Sequence, residues 1–308
     1  MSSPPLVPPI KCQGIKTKLV AEIANMAGEL SDGRWVEPFC GSGVVALNLQ
    51  PKRALLCDSN IHIIQFYKDI QSGRINSIGV REFLSEQGAK LLAIGEAYFY
   101  EVRERFNNAP NSLDFLFLNR SCFNGVMRFN RSGRFNVPFC RKPERFAPAY
   151  ITKIVNQVQT ISRVVSVSDW EFRVADFRES IATAVAGDVV YADPPYAGRH
   201  TDYFNGWSEL DEADLADLLA SLPCKFILST WHSNEFRTNL QVEKNWASDN
   251  FHVFTKAHYY HVGAAEELRH PMLEALITNF GYHEAVGMHE ARQQSLFVEQ
   301  QRARYLSV

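Results

Sequence analysis

The sequence predicts an α/β protein whose sheet is interrupted by a mainly helical insert. Three observations lead there. A short apolar strand at 35–36 runs into Glu37-Pro38-Phe39-Cys40-Gly41-Ser42-Gly43, and an apolar helix follows at 44–49. A second strand at 53–57 ends on Asp58. The strand pattern then disappears, and returns only beyond about residue 163, where one strand ends on Asp193-Pro194-Pro195-Tyr196. Strand, glycine turn, helix, strand and acidic residue together open a ligand-binding α/β sheet.

The elements follow in order. Residues 1–13 are Pro-rich and irregular, and 16–30 carries Leu19, Val20, Ile23 and Ala24 at helical spacing until Gly33 breaks it. After the two opening strands, 61–67 is expected to be a helix. From 68 to 118 the apolar residues keep a helical period, most clearly over 85–106, and 151–162 is expected to be helical. Strands are expected at 164–167, 172–174, 188–191 and 226–230, with the last ones at 251–261 and 295–299. Helices are expected at 210–222 and 236–239. The expected division is therefore 1–67 plus 163–308 for one discontinuous domain and 68–162 for the insert.

Composition narrows the class. The chain has 308 residues, 46% hydrophobic and 21% charged, which suits a globular α/β domain with a smaller one. The net charge of −2 neither requires nor excludes an anionic partner, because positive charge can be local. It is local here: six Arg and Lys142 stand against Glu144 between 120 and 145, interleaved with Phe and Asn. Cysteines at 12, 40, 57, 122, 140 and 224 form no CxxC pair, so no metal site is expected and reduced, buried thiols are. No signal peptide or membrane-spanning run is evident, which makes the cytoplasm the expected location.

Two turns carry chemistry. Gly41 and Gly43 allow a tight turn with close approach of a ligand to the backbone, at the start of a helix with unpaired N–H groups. A purely structural turn would use the same residues. Asp58 stands where a ribose-binding carboxylate belongs, and equally where a carboxylate would cap a helix over 61–67. Asp193-Pro194-Pro195-Tyr196 is the more specific turn. It places a carboxylate, a carbonyl preceding a proline and an aromatic ring at a strand's carboxyl end, where open sheets bind ligands. An exocyclic amine needs two acceptors, and a base needs a stacking surface.

These residues make the chain resemble the Dam-type family of DNA adenine-N6 methyltransferases, which includes restriction-associated members. The resemblance runs from about Gly14 to Phe280. It covers Gly14 and Lys16, Pro38-Phe39-x-Gly41-x-Gly43, Asp58, the pair Asp176-Phe177, and Asp193 to Tyr196. It also covers 118–128, 133–139 and 274–280. The chain departs from many relatives in reading Gly14-Ile15-Lys16, and in Trp231 and His232 near a strand end. The resemblance implies a Rossmann-like S-adenosylmethionine-dependent sheet interrupted by a helical DNA-recognition insert, with the motif order of the α group of amino methyltransferases.

It further implies roles. Asp193 and the Pro194 carbonyl would receive the target amine, and Tyr196 would stack on a flipped adenine. Lys16, Phe39, Gly41, Gly43, Asp58, Asp176 and Phe177 would hold S-adenosylmethionine. Arg120, Asn124, Arg128, Asn130, Arg134 and Asn136 are the candidates for DNA contact. Double-stranded DNA is the expected partner, a cognate restriction enzyme a further one, and the chain is expected to act as a monomer. Amine methylation of RNA or protein, and an inactive DNA-binding protein of this fold, are the other readings of the same motifs.

Overall fold

The computed structural model describes residues 4–30, 32–196, 206–259 and 271–282. The chain forms two units, Met1–Ser229 and Thr230–Val308.

The first unit is built on parallel strands. β1 (Trp35–Glu37) and β4 (Val189–Ala192) are buried at every position, the mark of central strands covered on both faces. β2 (Arg53–Asp58) pairs with β1, β3 (Asp169–Val174) with β2, and β5 (Lys225–Asn234) with β4, all parallel. The order β3-β2-β1-β4-β5 reverses direction between β1 and β4, which pair as Trp35↔Val189 and Val36↔Val190. The carboxyl ends of two non-consecutive strands thus diverge from a shared point, and a crevice opens there.

Helices α1 (Val20–Ala27), α2 (Val44–Leu49) and α3 (Ile61–Gln71) belong to this part. Between α3 and β3 lie α4 (Ser77–Ile94), α5 (Glu96–Asn108), α6 (Ser112–Ser121) and α7 (Pro148–Ser166). Asn76 and Asn111 cap α4 and α6 by accepting backbone N–H bonds. Residues 122–139 form an irregular hairpin, pinned by the antiparallel bridges Cys122↔Phe139 and Phe129↔Phe135. After β3 come α8 (Phe177–Ile181) and α9 (Glu209–Ala220).

In the second unit, entered along β5, α10 (Leu240–Trp246) precedes the antiparallel pair β6 (His252–Tyr259) and β7 (Pro271–Thr278). Trp231 is buried, with the Arg237 guanidinium 5.2 Å from its ring centroid.

Several expected elements differ. The strand at 164–167 is instead the last turn of α7, which ends at Ser166. Val164 and Val165 extend its buried stripe of Ile151, Ile154, Val155, Val158 and Ile161, so packing overrides their β-branched preference. The helical run over 85–106 is two helices, because Gly95 takes φ +76° between them. The first helix is confined to Val20–Ala27 rather than 16–30. No helix forms at 236–239; α10 starts after Asn239, whose side chain caps it. β7 has no counterpart among the expected strands, and the strand expected at 295–299 lies outside the described residues. Among the described residues, no helix is long and apolar enough to cross a membrane.

Candidate active site

At the crevice, the sequence Trp35-Val36-Glu37 does more than fill the sheet. The Trp35 ring stacks on Tyr191 of β4, with centroids 5.8 Å apart. Trp35 Nε1 and the Ala46 backbone N–H both donate to Glu37 Oε1, at 2.7 and 2.8 Å. A carboxyl group in the sheet core thereby fixes the start of α2. Glu37 is 1% exposed, and burial pushes its pKa up to about 8.

The glycine turn hangs from this anchor. Gly41 and Gly43 have φ of +50° and +65°, conformations that side chains rarely adopt. The Gly41 N–H donates to Asp58 Oδ2, and the Asn60 N–H to Asp58 Oδ1, both at 2.8 Å. Asp58 therefore ties the end of β2 to the turn, and the helix cap is Asn60, whose side chain accepts from the His62 N–H at 3.0 Å. Burial raises the Asp58 pKa, while its two backbone hydrogen bonds oppose that rise. The buried Tyr67 hydroxyl donates to the Ser42 carbonyl, so α3 also braces the turn.

Aromatic rings form the next wall. Phe39 stacks on Phe177 with centroids 5.4 Å apart, and Trp207 meets both, at 5.5 and 5.3 Å. Asp176, just before Phe177, caps α8 through the Arg178 N–H at 2.9 Å. Asp193 follows β4 directly. Lys16 Nζ lies 2.8 Å from Asp193 Oδ1, 2.9 Å from the Gly14 carbonyl that accepts from it, and 5.0 Å from the Tyr196 ring centroid. Lys16 is only 5% exposed, so this pairing is strongly felt.

One cavity unites these groups: its lining includes Lys16, Phe39, Gly41, Asp58, Asp176, Phe177 and Asp193. Gly43 turns behind it toward Tyr67. Pro194 is buried beside Asp193, and Tyr196 is reached through Lys16. Lys16, expected among the cofactor residues, thus stands against the carboxylate of the Asp-Pro-Pro-Tyr turn. Glu37, Tyr67, Trp207 and Asp211 of the same region escaped the sequence reading. Glu37 adjoins the glycine motif and could have been suspected; nothing local in the sequence marks Trp207.

The six candidates for DNA contact separate. Arg120 is 4% exposed, and its guanidinium donates to Gln157 Oε1 at 2.6 Å and the Tyr150 hydroxyl at 3.2 Å. Its charge is spent inside the helical lobe. Arg128 and Asn136 face each other across the hairpin: Arg128 Nε donates to Asn136 Oδ1 at 2.8 Å. Asn130 forms the hairpin tip, accepting from the Ser132 and Arg134 N–H groups at 2.9 and 3.0 Å. Arg134 pairs with Glu104 at 2.6 Å, and Asn124 is exposed with φ +53°.

The family model described as D12 class N6 adenine-specific DNA methyltransferase matches residues 13–263. The Retron Ec67 DNA adenine methylase of Escherichia coli is 33% identical over 219 residues, covering 68% of this chain and 71% of its own. The DNA adenine methylase of Vibrio cholerae serotype O1 is 34% identical over 222 residues, covering 68% and 74%. The Modification methylase StsI of Streptococcus sanguinis is 28% identical over 285 residues, covering 88% of this chain and 42% of its own.

Proposed function

Because the chain belongs to the D12 class of N6 adenine-specific DNA methyltransferases, we propose that its cavity transfers a methyl group from S-adenosylmethionine to N6 of an adenine turned out of duplex DNA. One observation carries this reading. The Lys16–Asp193 pair, the glycine turn, Asp58 and the Phe39–Phe177 wall line a single cavity at the strand-order switch.

The donor set fits the cofactor. Phe39 and Phe177 offer an apolar surface to a purine, Asp176 an acceptor for its amine, and Asp58 an acceptor for a ribose diol. Gly41 and Gly43 let the backbone approach. When bound, S-adenosylmethionine supplies a methyl group on a positively charged sulfur.

The chain's own residues handle the amine. The adenine N6 lone pair is delocalised into the ring, so the amine is a weak nucleophile. Asp193 and the Pro194 carbonyl accept its two N–H bonds and favour the tetrahedral nitrogen that attacks. This stabilisation grows toward the transition state. Lys16 Nζ, 2.8 Å from Asp193 Oδ1, holds the side chain in place beside the amine site. With the methyl group delivered to N6, Asp193 and the Pro194 carbonyl would hold the amine's N–H bonds, and its surplus proton would pass to solvent. Tyr196 supplies the stacking surface for the extruded base.

Residues 68–162 act as the target-recognition insert and 1–67 with 163–308 as the catalytic part. Asn124, Arg128, Asn130, Arg134 and Asn136 of the hairpin contact DNA, whereas Arg120 ties α6 to α7 inside the helical lobe. The enzyme works as a cytoplasmic monomer, and a restriction enzyme of the same system is its proposed partner.

The test is methyl transfer by the purified chain from labelled S-adenosylmethionine to duplex DNA, to RNA and to a protein substrate side by side. N6-methyladenine in the duplex alone is the expected result. Transfer confined to RNA or protein would overturn the assignment, and cofactor binding without transfer would make the chain an inactive binder. Modification-sensitive sequencing of DNA from expressing cells then gives the recognition site.

A further inference from the structure

The Arg178 side chain joins two elements that both reach the cavity. Arg178 lies in the first turn of α8, next to Asp176 and Phe177. Its guanidinium is 2.6 Å from Asp211 Oδ1, 2.7 Å from Asp214 Oδ2 and 3.3 Å from Asp176 Oδ1. It also covers the Phe177 ring, with the guanidinium carbon 4.3 Å from the centroid. Asp211 is the third residue of α9, in a reciprocal capping box with Ser208. Trp207 immediately precedes that box, and its indole N–H donates to Glu212 Oε2 at 2.7 Å.

Charge explains why one arginine matters here. The starts of α8 and α9 carry Asp176 and Glu179 on one side and Glu209, Asp211, Glu212 and Asp214 on the other. Carboxylates suit helix N-termini singly, but two such ends facing each other repel. Arg178 sits between them and pairs with three. Partly exposed pairs of this kind add little to overall stability. Their consequence is positional: they set the spacing between Phe177 and Trp207, and the direction of the Asp176 carboxylate.

We propose that Arg178 is a positioning residue for the adenine end of the cofactor site. Through Asp176, Asp211 and Asp214 it holds the amine acceptor and the Phe39–Phe177–Trp207 wall in register. This rests on the reading of the cavity as an S-adenosylmethionine site. Trp207 then forms the third face of the purine slot. Arg178 acts on affinity and base selectivity at that slot, not on the methyl-transfer step.

The experiment compares Arg178→Ala and Arg178→Gln with the unaltered chain. Calorimetry measures S-adenosylhomocysteine and its inosine counterpart, S-inosylhomocysteine, in which an oxo group replaces the purine amine. The expected result for Arg178→Ala is about five- to ten-fold weaker binding of the adenosine form, a loss of roughly 1–1.4 kcal/mol. The preference over the inosine form should shrink as well. In rate measurements the defect should fall on KM for the cofactor rather than on kcat. Raising the salt should partly restore the variant's affinity by screening the three carboxylates, which a merely loosened fold would not show. Arg178→Gln keeps cover over Phe177 and serves if the alanine variant does not fold. Unchanged affinity and selectivity in a folded variant would overturn the proposal. Failure of the unaltered chain to bind either ligand would instead overturn the cofactor reading beneath it.

Discussion

Glu37 shows how much one side chain can hold in this fold. Its single oxygen Oε1 takes the Trp35 and Ala46 N–H groups, linking β1 to the first turn of α2. Burial raises its pKa from the ordinary 4.5 to about 8. Across that window the folded chain holds a proton that the unfolded chain has lost. This group's contribution therefore makes stability fall as pH rises, by at most about 1.4 kcal/mol per pH unit. Glu37→Gln keeps an oxygen for both donors and removes the titration. The expected outcome in urea melts from pH 5 to 8 is a flatter stability profile than that of the unaltered chain. An unchanged profile would show that Glu37 is ionised throughout. At Asp193 the expectation concerns chemistry. Asp193→Asn retains the shape but removes the charge opposite Lys16, so transfer should slow by about 100-fold or more. Cofactor affinity, read by calorimetry, should change far less. A near-normal single-turnover rate would take Asp193 out of the mechanism.

The hairpin at 122–139 is the element to which we assign DNA contact, and two contacts set its pose. His62, in the first turn of α3, stacks on Phe129 with centroids 5.0 Å apart and touches Phe106 and Phe115. Burial among these rings pushes its pKa from 6.5 down to about 4. The unfolded chain then binds a proton that the fold refuses, so the His62 contribution is complete above about pH 6.5 and is lost as pH falls toward 4. His62→Phe should make melting temperature less sensitive to acid over that range, opposite in sign to the effect of Glu37. The other contact is the N-terminal segment: a Cβ at Gly125 would lie 2.3 Å from Lys11 Cδ, at a φ of +68°. Gly125→Ala should cost about 1–3 kcal/mol in a chemical melt, and a neutral result would mean that Lys11 moves aside. Within the hairpin, Arg128→Ala should relax preference at one base position by about 1–3 kcal/mol in methylation rates on single-base variants. The Arg128–Asn136 hydrogen bond offers a structural role instead, and an unchanged substrate rank order would favour it.

At the scale of the molecule, a net charge of −2 coexists with a basic stretch at 120–145. If DNA docks on this stretch, as proposed, binding should weaken with salt by a slope of about −0.9 per phosphate neutralised. Arg134→Ala should lower that slope by about one and weaken all sequences alike. Its pairing with Glu104 at 2.6 Å provides the contrary expectation of no change, in which case Arg134 serves only to fix the hairpin tip. Fluorescence anisotropy on specific and random duplexes across a salt series separates the two.

Local sequence was enough for the α/β class, the strands around the glycine turn and the motifs at the cavity. Those signals are local: a strand buried on both faces must be apolar, a left-handed turn favours glycine, and a ligand site at a strand end keeps its residues contiguous. What depends on distant partners emerges only in the folded chain. Val164 and Val165 are helical because they complete the face of α7, not because of their own preference. Arg120 and Arg134 have the same side chain in one basic stretch, yet only packing buries the first beneath Tyr150 and Gln157. Lys16 meets Asp193 across 177 positions because β4 returns beside β1, and Arg178 reaches Asp211 because α9 packs against α8. Such pairings follow from chain topology, which spacing along a single sequence does not encode.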